Sequence, residues 1–371
     1  MARPTTATIH LDALRHNLGV LRKRAPGSRV MAVVKADGYG HGLERVARAL
    51  MDADAFGVAS LADAQRLRAI GAAQPIVWLS GFNEADDLAQ LRALDVQTVV
   101  HRAAQLDMLE QSRGTPLRCW LKIDTGMHRL GFALDAVRAA HERLQAAACV
   151  DDDIVLMTHL ASSDAWPGSA EDDGQTRAQL DAFATATAGL PGPRSLANSA
   201  AVLGWPAAHG DWIRPGGALY GMSLVPGRPG SHFGLRPAMT LATRLLAVNR
   251  IRRGERIGYG GIWSCPEDMP VGVAAIGYGD GYPRHAPAGT PVLVNGRAAQ
   301  VIGRVSMDLM TLDLRGQPEA AAGDPVVLWG EGLPVESVAA AAGTIAYEPT
   351  CVITRRVRFQ DGGIPGHGNR P

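Results

Sequence analysis

Several features that mark whole classes of protein are scarce or missing in this chain of 371 residues. Its four cysteines form no Cys-x-x-Cys pair, which argues against a metal site or a disulfide framework and favours a reducing, cytoplasmic setting. No apolar run approaches the ~18 residues of a membrane span, and the N-terminus lacks the apolar core of a signal peptide. The net charge of +1 favours neither nucleic acid nor an acidic membrane as a partner.

Lysine is also scarce. Lysine and arginine together number 37, yet lysine occurs only at positions 23, 35 and 122. Lys23 lies in a basic run that we expect to be solvated, whereas Lys35 and Lys122 lie in apolar segments interrupted by glycine. A guanidinium group stays protonated, so arginine cannot replace lysine as an amine nucleophile. Lys35 and Lys122 are therefore candidates for covalent chemistry, although a lysine in a structural ion pair is the common alternative.

The first two thirds of the chain alternate short apolar runs with amphipathic segments such as 61–70 and 134–147. A helix that starts at Asn83 as its N-cap is expected after the third run. The eight runs predict the strands of a (β/α)8 TIM-like barrel over residues 1–238; they cover 29–34, 55–59, 75–79, 96–100, 117–123, 154–158, 194–197 and 212–214. A doubly wound sheet is the rival fold, but no Gly-x-Gly-x-x-Gly follows the first strand.

The pattern changes near residue 239. Apart from one helical segment at 335–342, the rest reads as strands separated by Gly, Pro and Asp turns. The predicted strands cover 271–276, 292–294, 298–302, 310–314, 326–328 and 352–359. We therefore expect a separate, mostly β domain over residues 239–371.

Residues with useful chemistry follow the predicted barrel strands, where barrel active sites lie. They are Lys35, Lys122, His159, Ser199 and Arg214, the last followed by Gly216 and Gly217. A lysine amine that faces a hydroxyl group and flexible glycine amides fits pyridoxal phosphate, which offers an aldehyde and a phosphate. Each residue alone also has an ordinary structural interpretation, as an ion pair, a rim histidine or a turn. The prediction depends on their common position.

These segments carry a resemblance to a known family. Residues 34–42 (VKADGYGHG) resemble the cofactor-lysine motif of the alanine racemases, and the resemblance extends from Ala7 to about Phe359. The other matching segments are 122–131 (KIDTGMHRLG), 157–159 (MTH), 198–201 (NSAA), 214–216 (RPG), 258–260 (GYG), 277–284 (GYGDGYPR) and 303–308 (GRVSMD). The family combines a barrel with a β domain and interconverts L- and D-alanine, for peptidoglycan synthesis or for alanine breakdown.

The resemblance implies a two-base mechanism. Lys35 would hold pyridoxal phosphate as a Schiff base and act as the base on one face, and Tyr259 would be the base on the other. His159 and Arg214 would lower the pKa of Tyr259, because a free phenol is a poor base near neutral pH, and Arg214 would also meet the pyridine nitrogen. The implied phosphate contacts are Tyr39, Ser199, Gly216, Gly217 and Tyr347.

The resemblance also implies how the substrate is held. Arg129 and the backbone of Met307 would bind the carboxylate of alanine. Lys122, often carbamylated in the family, would orient Arg129; an ordinary Lys122–Asp pair is the alternative. Positions lining the family's substrate passage match Asp164, Tyr278, Arg284 and Arg304, and Asp308 follows Met307 as a supporting residue. In the family Tyr259, Tyr278, Arg284, Arg304 and Met307 come from the partner subunit, which implies a homodimer with composite sites.

Alternative functions remain open at this point. Ser306 stands where relatives often have cysteine, which a backbone contact from Met307 would survive. Gly261-Ile262 stands where relatives often have bulkier or hydroxylated residues, so a racemase with broader specificity is one alternative. A pyridoxal-phosphate decarboxylase on the same plan is another, although its chain would begin with part of the β domain. A non-catalytic carrier of the cofactor would lack the segment 240–359.

Overall fold

Eight short parallel strands form a barrel, as the apolar runs predict. Numbered along the chain after β1 (Thr6–His10), they are β2 (Arg29–Val33), β3 (Ala55–Val58), β4 (Ile76–Trp78), β5 (Val96–Val100), β6 (Cys119–Lys122), β7 (Val155–Met157), β8 (Arg194–Ser195) and β9 (Trp212–Ile213). They pair in the order β8-β7-β6-β5-β4-β3-β2-β9. Backbone hydrogen bonds from Asp211 N to Arg194 O and from Arg214 N to Ala197 O, each 2.9 Å, connect β8 and β9 at the two ends of this order. The predicted (β/α)8 barrel with a β domain after it is confirmed.

The computed structural model describes residues 3–169, 172 and 174–362. Among these, 15–219 and 225–228 form the barrel unit, and 3–14, 220–224 and 229–362 form a second, β-rich unit. Within the described residues, none of the helices has both the length and the apolar character needed to span a membrane.

The barrel strands are apolar because both of their faces are buried. Every residue of β3 is buried, and the space beside Gly57 is tight, since a Cβ there would lie 3.0 Å from the Met31 sulfur. Trp120 and Trp212 pack with their ring centroids 5.6 Å apart. The buried core cluster comprises Met31, Ala55, Val77, Val99, Trp120, Val155, Met157 and Trp212.

Helices connect the strands of the barrel. They are α1 (Leu11–Arg24), α2 (Lys35–Tyr39), α3 (Leu43–Ala49), α4 (Leu61–Ala69), α5 (Ala85–Ala93), α6 (Ala103–Gln111), α7 (Val137–Ala146), α8 (Gln175–Ala186) and α9 (Ser199–Gly204). The prediction of Asn83 as an N-cap is wrong by one residue: Glu84 caps α5. The Asp87 carboxylate accepts from the backbone N–H groups of both Asn83 and Glu84, at 2.9 and 3.2 Å, which moves the helix start.

The second unit contains a sheet of order β13-β16-β15-β14-β17-β10-β1-β18, in which β13 also pairs with β10. The strands are β10 (Met239–Ile251), β13 (Met269–Ala274), β14 (Pro291–Val294), β15 (Arg297–Ile302), β16 (Met310–Asp313), β17 (Pro325–Trp329) and β18 (Arg358–Gly362), with a separate hairpin of β11 (Arg256–Ile257) and β12 (Trp263–Ser264). Helices α10 (Val335–Ala341) and α11 (Tyr347–Cys351) complete the unit. Long β10 pairs with β1 and β17 over residues 239–244 and with β13 from Leu245 onward, where the register is irregular between Leu245 and Ala247.

This unit differs from the sequence prediction in several places, and β10, β11, β12 and α11 were not predicted. The strand predicted at 352–359 is wrong: α11 ends at Cys351, and β18 begins only at Arg358. Strand β1 was not predicted, and it pairs antiparallel with β10 and parallel with β18. Residues 3–14 therefore group with the β-rich unit rather than with the barrel, in contrast to a boundary drawn only at residue 238.

Candidate active site

The turn that presents Lys35 is conformationally unusual. Lys35 opens α2, and the next residues Ala36, Asp37 and Tyr39 have φ values of 54°, 52° and 53°, in the left-handed region that L-residues disfavour. The Asp37 carboxylate supports the turn by accepting from Leu43 N at 3.1 Å. Backbone strain concentrates at functional sites, so the turn itself marks Lys35 for a special role.

Tyr39, Ser199 and Gly216 lie together. A Cβ on Gly216 would lie 2.2 Å from the Tyr39 hydroxyl oxygen, so the backbone passes directly beside the phenol. The Ser199 Oγ accepts from Gly216 N at 2.9 Å and from Ala218 N at 3.2 Å. Because Ser199 accepts both of these bonds, its own hydroxyl hydrogen can be donated to another group. Gly217 follows in the same turn, and such a set of hydroxyl and backbone groups suits a phosphate.

Arg214 is buried and held on several sides. Its guanidinium donates to Ser195 Oγ at 2.7 Å and to Thr158 O at 2.6 Å, and the residue is only 5% exposed. Burial lowers the pKa of Arg214 to about 10, which leaves the group positively charged at neutral pH. The structure thus fixes a charged donor beside the end of β7.

Positive charge accumulates around Lys122. Burial, followed by the charges of Arg214, Arg129 and Lys35, lowers the pKa of Lys122 to about 8, while Asp124 acts in the opposite direction. Burial and the same cations hold the pKa of His159 well below its usual range, so His159 is neutral at pH 7. The structure therefore brings together Lys35, Lys122, Arg129, His159 and Arg214. Such an arrangement fits anionic groups, as a phosphate and a substrate carboxylate would be.

Arg129 lies on an ordered loop. The Asp124 carboxylate accepts from Gly126 N and His128 N, both at 3.0 Å, and Phe132 N donates to Lys122 O at 2.9 Å. These bonds fold the loop back on β6 and leave Arg129 exposed at its tip. Asp164, in contrast, is half-buried in the loop after β7.

In the β-rich unit, the predicted residues lie on neighbouring loops. Backbone N–H groups of Tyr278 and Gly279 donate to Ser306 O and Met307 O at 3.0 and 2.9 Å. Tyr259 is 69% exposed and Met307 is 52% exposed. A Cβ on Gly260 would lie 4.0 Å from the Arg304 guanidinium, and the Arg284 guanidinium lies 5.9 Å from the Tyr278 ring centroid. Tyr347, also in this unit, is half-buried at the start of α11.

An ion-pair network holds these loops. The Asp280 side chain is fully buried and accepts from Arg3 Nη2 at 2.6 Å, and Arg356 Nε lies 3.4 Å from its other oxygen. Asp308 pairs with the same two arginines, and Arg3 also donates to the Asp308 carbonyl at 2.9 Å. Asp308 was predicted from the sequence, but Asp280, Arg3 and Arg356 were not, since nothing local in the sequence relates positions so far apart.

Comparisons with known proteins agree with this arrangement. Residues 9–224 match the family model described as alanine racemase, N-terminal domain, and residues 238–360 match alanine racemase, C-terminal domain. The chain is 52% identical to the alanine racemase of Halorhodospira halophila over 96% of this chain and 98% of that one. It is 54% identical to that of Nitrosococcus oceani over 95% and 97%.

Solved structures give the same result. The biosynthetic alanine racemase from Pseudomonas aeruginosa has a TM-score of 0.92 and 44% identity, covering 97% of this chain and 99% of that one. An alanine racemase from Bartonella henselae with covalently bound pyridoxal phosphate has a TM-score of 0.85 and 25% identity, with 96% and 99% covered.

Proposed function

The chain belongs to the alanine racemase family, and we propose that it interconverts L- and D-alanine with Lys35 and Tyr259 as bases on opposite faces of the substrate. The observation that carries the proposal is the match of both family domains over nearly the whole chain. The product would supply peptidoglycan synthesis, or the reverse reaction would serve alanine breakdown. Racemisation needs two faces, because a proton leaves Cα on one side and returns on the other.

The proposed cofactor is pyridoxal phosphate, which the barrel unit, 15–219 and 225–228, would hold. When bound, it supplies an aldehyde for the Lys35 amine and a ring that draws electrons away from the substrate Cα. The phosphate would be held by Tyr39, Ser199, Gly216, Gly217 and Tyr347. Tyr39, Ser199 and Gly216 already lie together, with two hydroxyl groups beside the glycine backbone. The cations that surround Lys35 also favour a bound anion.

Arg214 would donate a hydrogen bond to the pyridine nitrogen. With a pKa of about 10, it keeps its own proton at neutral pH, so the ring nitrogen would stay unprotonated and the ring would withdraw electrons less strongly. Weaker electron withdrawal would limit side reactions such as transamination.

His159 would connect Arg214 to Tyr259. Because the imidazole is neutral, the positive charge that makes the phenol a better base would come from Arg214, with His159 as the hydrogen-bonded group between them. Tyr259 would return or remove the Cα proton on the face opposite Lys35.

Substrate alanine would bind through Arg129 and the backbone N–H of Met307. Lys122 would react with CO₂ to form a carbamate, with loss of a proton, and the resulting anion would orient Arg129. Two observations support this: a pKa near 8 gives a substantial neutral fraction of the amine, and the surrounding cations favour an anion at this position. Asp164, Tyr278, Arg284 and Arg304 would line the substrate passage, with Asp308 supporting Met307.

A head-to-tail homodimer would bring Tyr259, Met307, Tyr278, Arg284 and Arg304 of the partner subunit to each barrel, so residues 239–371 would complete the partner's site. The support is the apolar surface around these loops, where Ile262 and Leu309 are also exposed, at 56% and 38%. Exposed apolar patches of this kind mark interaction surfaces. We also propose a cytoplasmic enzyme, since three of its four cysteines are buried as free thiols.

Tyr259→Phe tests the two-base assignment. We expect racemisation to slow by about 100-fold or more in both directions, because general base catalysis contributes roughly 10²–10⁴-fold, while the reducible yellow Lys35 adduct remains. Optical rotation from each enantiomer measures the rate, with Lys35→Ala as the control that loses the adduct. If Tyr259→Phe racemises at the unmodified rate, the second base is misassigned. Serine assayed in parallel tests the broader specificity that exposed Ile262 suggests.

A further inference from the structure

One buried amide joins the two barrel loops that carry Arg129 and His159. Gln179 lies on α8 and is 1% exposed. Its Nε2 donates to Thr125 Oγ1 and to His159 O, both at 3.1 Å, and its Oε1 accepts from Ala161 N at 2.8 Å. Both amide hydrogens are thus used, and the backbone is held on either side of Leu160.

The direction of these bonds is determined. Ala161 N–H can only donate, so it must face the carbonyl end of Gln179. The Thr158 hydroxyl donates to Ile123 O at 2.9 Å, and therefore Thr125 must be the donor in its 2.8 Å bond to Thr158. A one-way chain runs from Gln179 through Thr125 and Thr158 to the carboxyl end of β6. Chains with one direction are mutually strengthening in a buried setting.

The chain ends beside the proposed chemistry. The carbonyl of Thr158 accepts from Arg214 at 2.6 Å, and Thr125 lies between Lys122 and the tip of the Arg129 loop. We propose that Gln179 is a positioning residue that fixes His159 and the Arg129 loop relative to each other. This inference rests on the proposed function, because it assigns Gln179 to the same site.

Gln179→Met tests the inference, since methionine has a similar length and no hydrogen-bonding amide. The loss of a buried hydrogen bond corresponds to roughly tenfold or more in rate or affinity. We expect kcat to fall about tenfold through His159, and KM for alanine to rise through Arg129. Thr125→Val removes the hydrogen bonds of the Thr125 hydroxyl but leaves the bond from Gln179 to His159 O. It should therefore raise KM more than it lowers kcat.

Gln179→Glu provides the conservative comparison. An ionised carboxylate cannot donate to Thr125 or to His159 O, whereas a protonated carboxyl group can donate to one of them and still accept from Ala161. Relative to the unmodified enzyme, its kcat/KM should therefore recover as the pH falls. The kcat/KM of Gln179→Met relative to the unmodified enzyme should not change with pH, and a purely structural role would not give the recovery in Gln179→Glu.

Gln317→Met is the matched control. Gln317 is 2% exposed, and its amide donates to Arg297 O and Ala298 O in the β-rich unit. Its loss should therefore lower stability without changing kcat or KM. The affinity of each apoenzyme for pyridoxal phosphate gives a readout apart from activity, and should change by less than about threefold in Gln179→Met, because Arg214 keeps its bond to Ser195.

The outcomes separate the two proposals. If the unmodified enzyme does not racemise alanine, the proposed function fails, whatever the variants do. If it does, a folded Gln179→Met enzyme with kcat and KM within twofold of normal overturns the positioning role. An equal loss of kcat/KM in Gln317→Met also overturns it, and so does a kcat/KM of Gln179→Glu, relative to the unmodified enzyme, that does not change with pH.

Discussion

Replacing Lys122 by methionine should stabilise the apoenzyme, although it removes a residue of the proposed site. Lys122 is 7% exposed, and its pKa falls from 10.5 to about 8, chiefly through burial and then through Arg214, Arg129 and Lys35. At 1.36 kcal/mol for each pKa unit, that difference corresponds to about 3 kcal/mol of unfavourable free energy when the amine is protonated in the folded state. Methionine has a similar unbranched shape and no charge to bury.

The sign of the effect follows from proton binding. Between pH 8 and 10.5 the unfolded chain holds the Lys122 proton more tightly than the folded chain, so stability rises with pH through this window. The penalty is complete below about pH 8 and absent above 10.5. Lys122→Met should therefore gain up to about 3 kcal/mol at pH 6.5, and the gain should shrink steadily as the pH approaches 10.5.

Urea unfolding of apoenzyme in CO₂-free buffer, at one protein concentration and several pH values, measures this gain. Lys23→Met is the matched control, because Lys23 is exposed at the end of α1. Added bicarbonate should stabilise the unmodified protein but not Lys122→Met, if a carbamate forms. A stability difference that is constant from pH 6.5 to 9.5, or a less stable Lys122→Met at pH 6.5, would refute the reasoning.

Two further predictions concern other parts of the site. Gly216→Ala should weaken binding of pyridoxal phosphate to the apoenzyme by about tenfold or more, since its Cβ would lie 2.2 Å from the Tyr39 oxygen. Titration of absorbance measures this, and Tyr39→Phe in the same chain should recover part of the loss beyond its own effect. Asp280→Asn should cost about 2–3 kcal/mol in urea unfolding, because Arg3 and Arg356 lose a fully buried partner. Asp308→Asn, at a side chain 48% exposed, should cost less than Asp280→Asn, and the reverse order would contradict the assignment.

The barrel could be predicted from sequence because its strands are local features. Most are short apolar runs buried on both faces, and residues of the candidate site end or follow β2, β6, β7, β8 and β9. Lys122 ends β6, and Arg214 directly follows β9. Position at a strand end is therefore the feature from which the barrel side of the site was predicted.

The missed strands depend on pairings between distant positions. Strand β1 has only five residues, and its register places Ile9 opposite Met239. Its partner β10 is long, but its burial does not alternate regularly over its second half, because it changes partners along its length. No window of local sequence contains the information that joins two segments more than 200 residues apart.

The supporting residues could not be predicted for a related reason. Gln179 is one glutamine in an otherwise ordinary amphipathic helix, and Asp280 lies in a glycine-rich turn. Their importance comes from buried hydrogen bonds to other elements, and only the folded chain brings those partners together. The left-handed turn after Lys35 was indicated in part by Gly38, Gly40 and Gly42, but not at Ala36 or Asp37.

The use of arginine rather than lysine at position 214 has a physical reason. Burial and neighbouring charges lower the pKa of Lys122 from 10.5 to about 8, whereas burial lowers the pKa of Arg214 to about 10. A lysine in the position of Arg214 would have an unperturbed pKa about two units lower, so the same burial would remove much of its charge near neutral pH. Arginine keeps its charge there. Because His159 is neutral, that retained charge is what would act on both the pyridine nitrogen and Tyr259. The cluster therefore needs arginine where a permanent cation is required, and lysine only where the amine must be able to lose its proton.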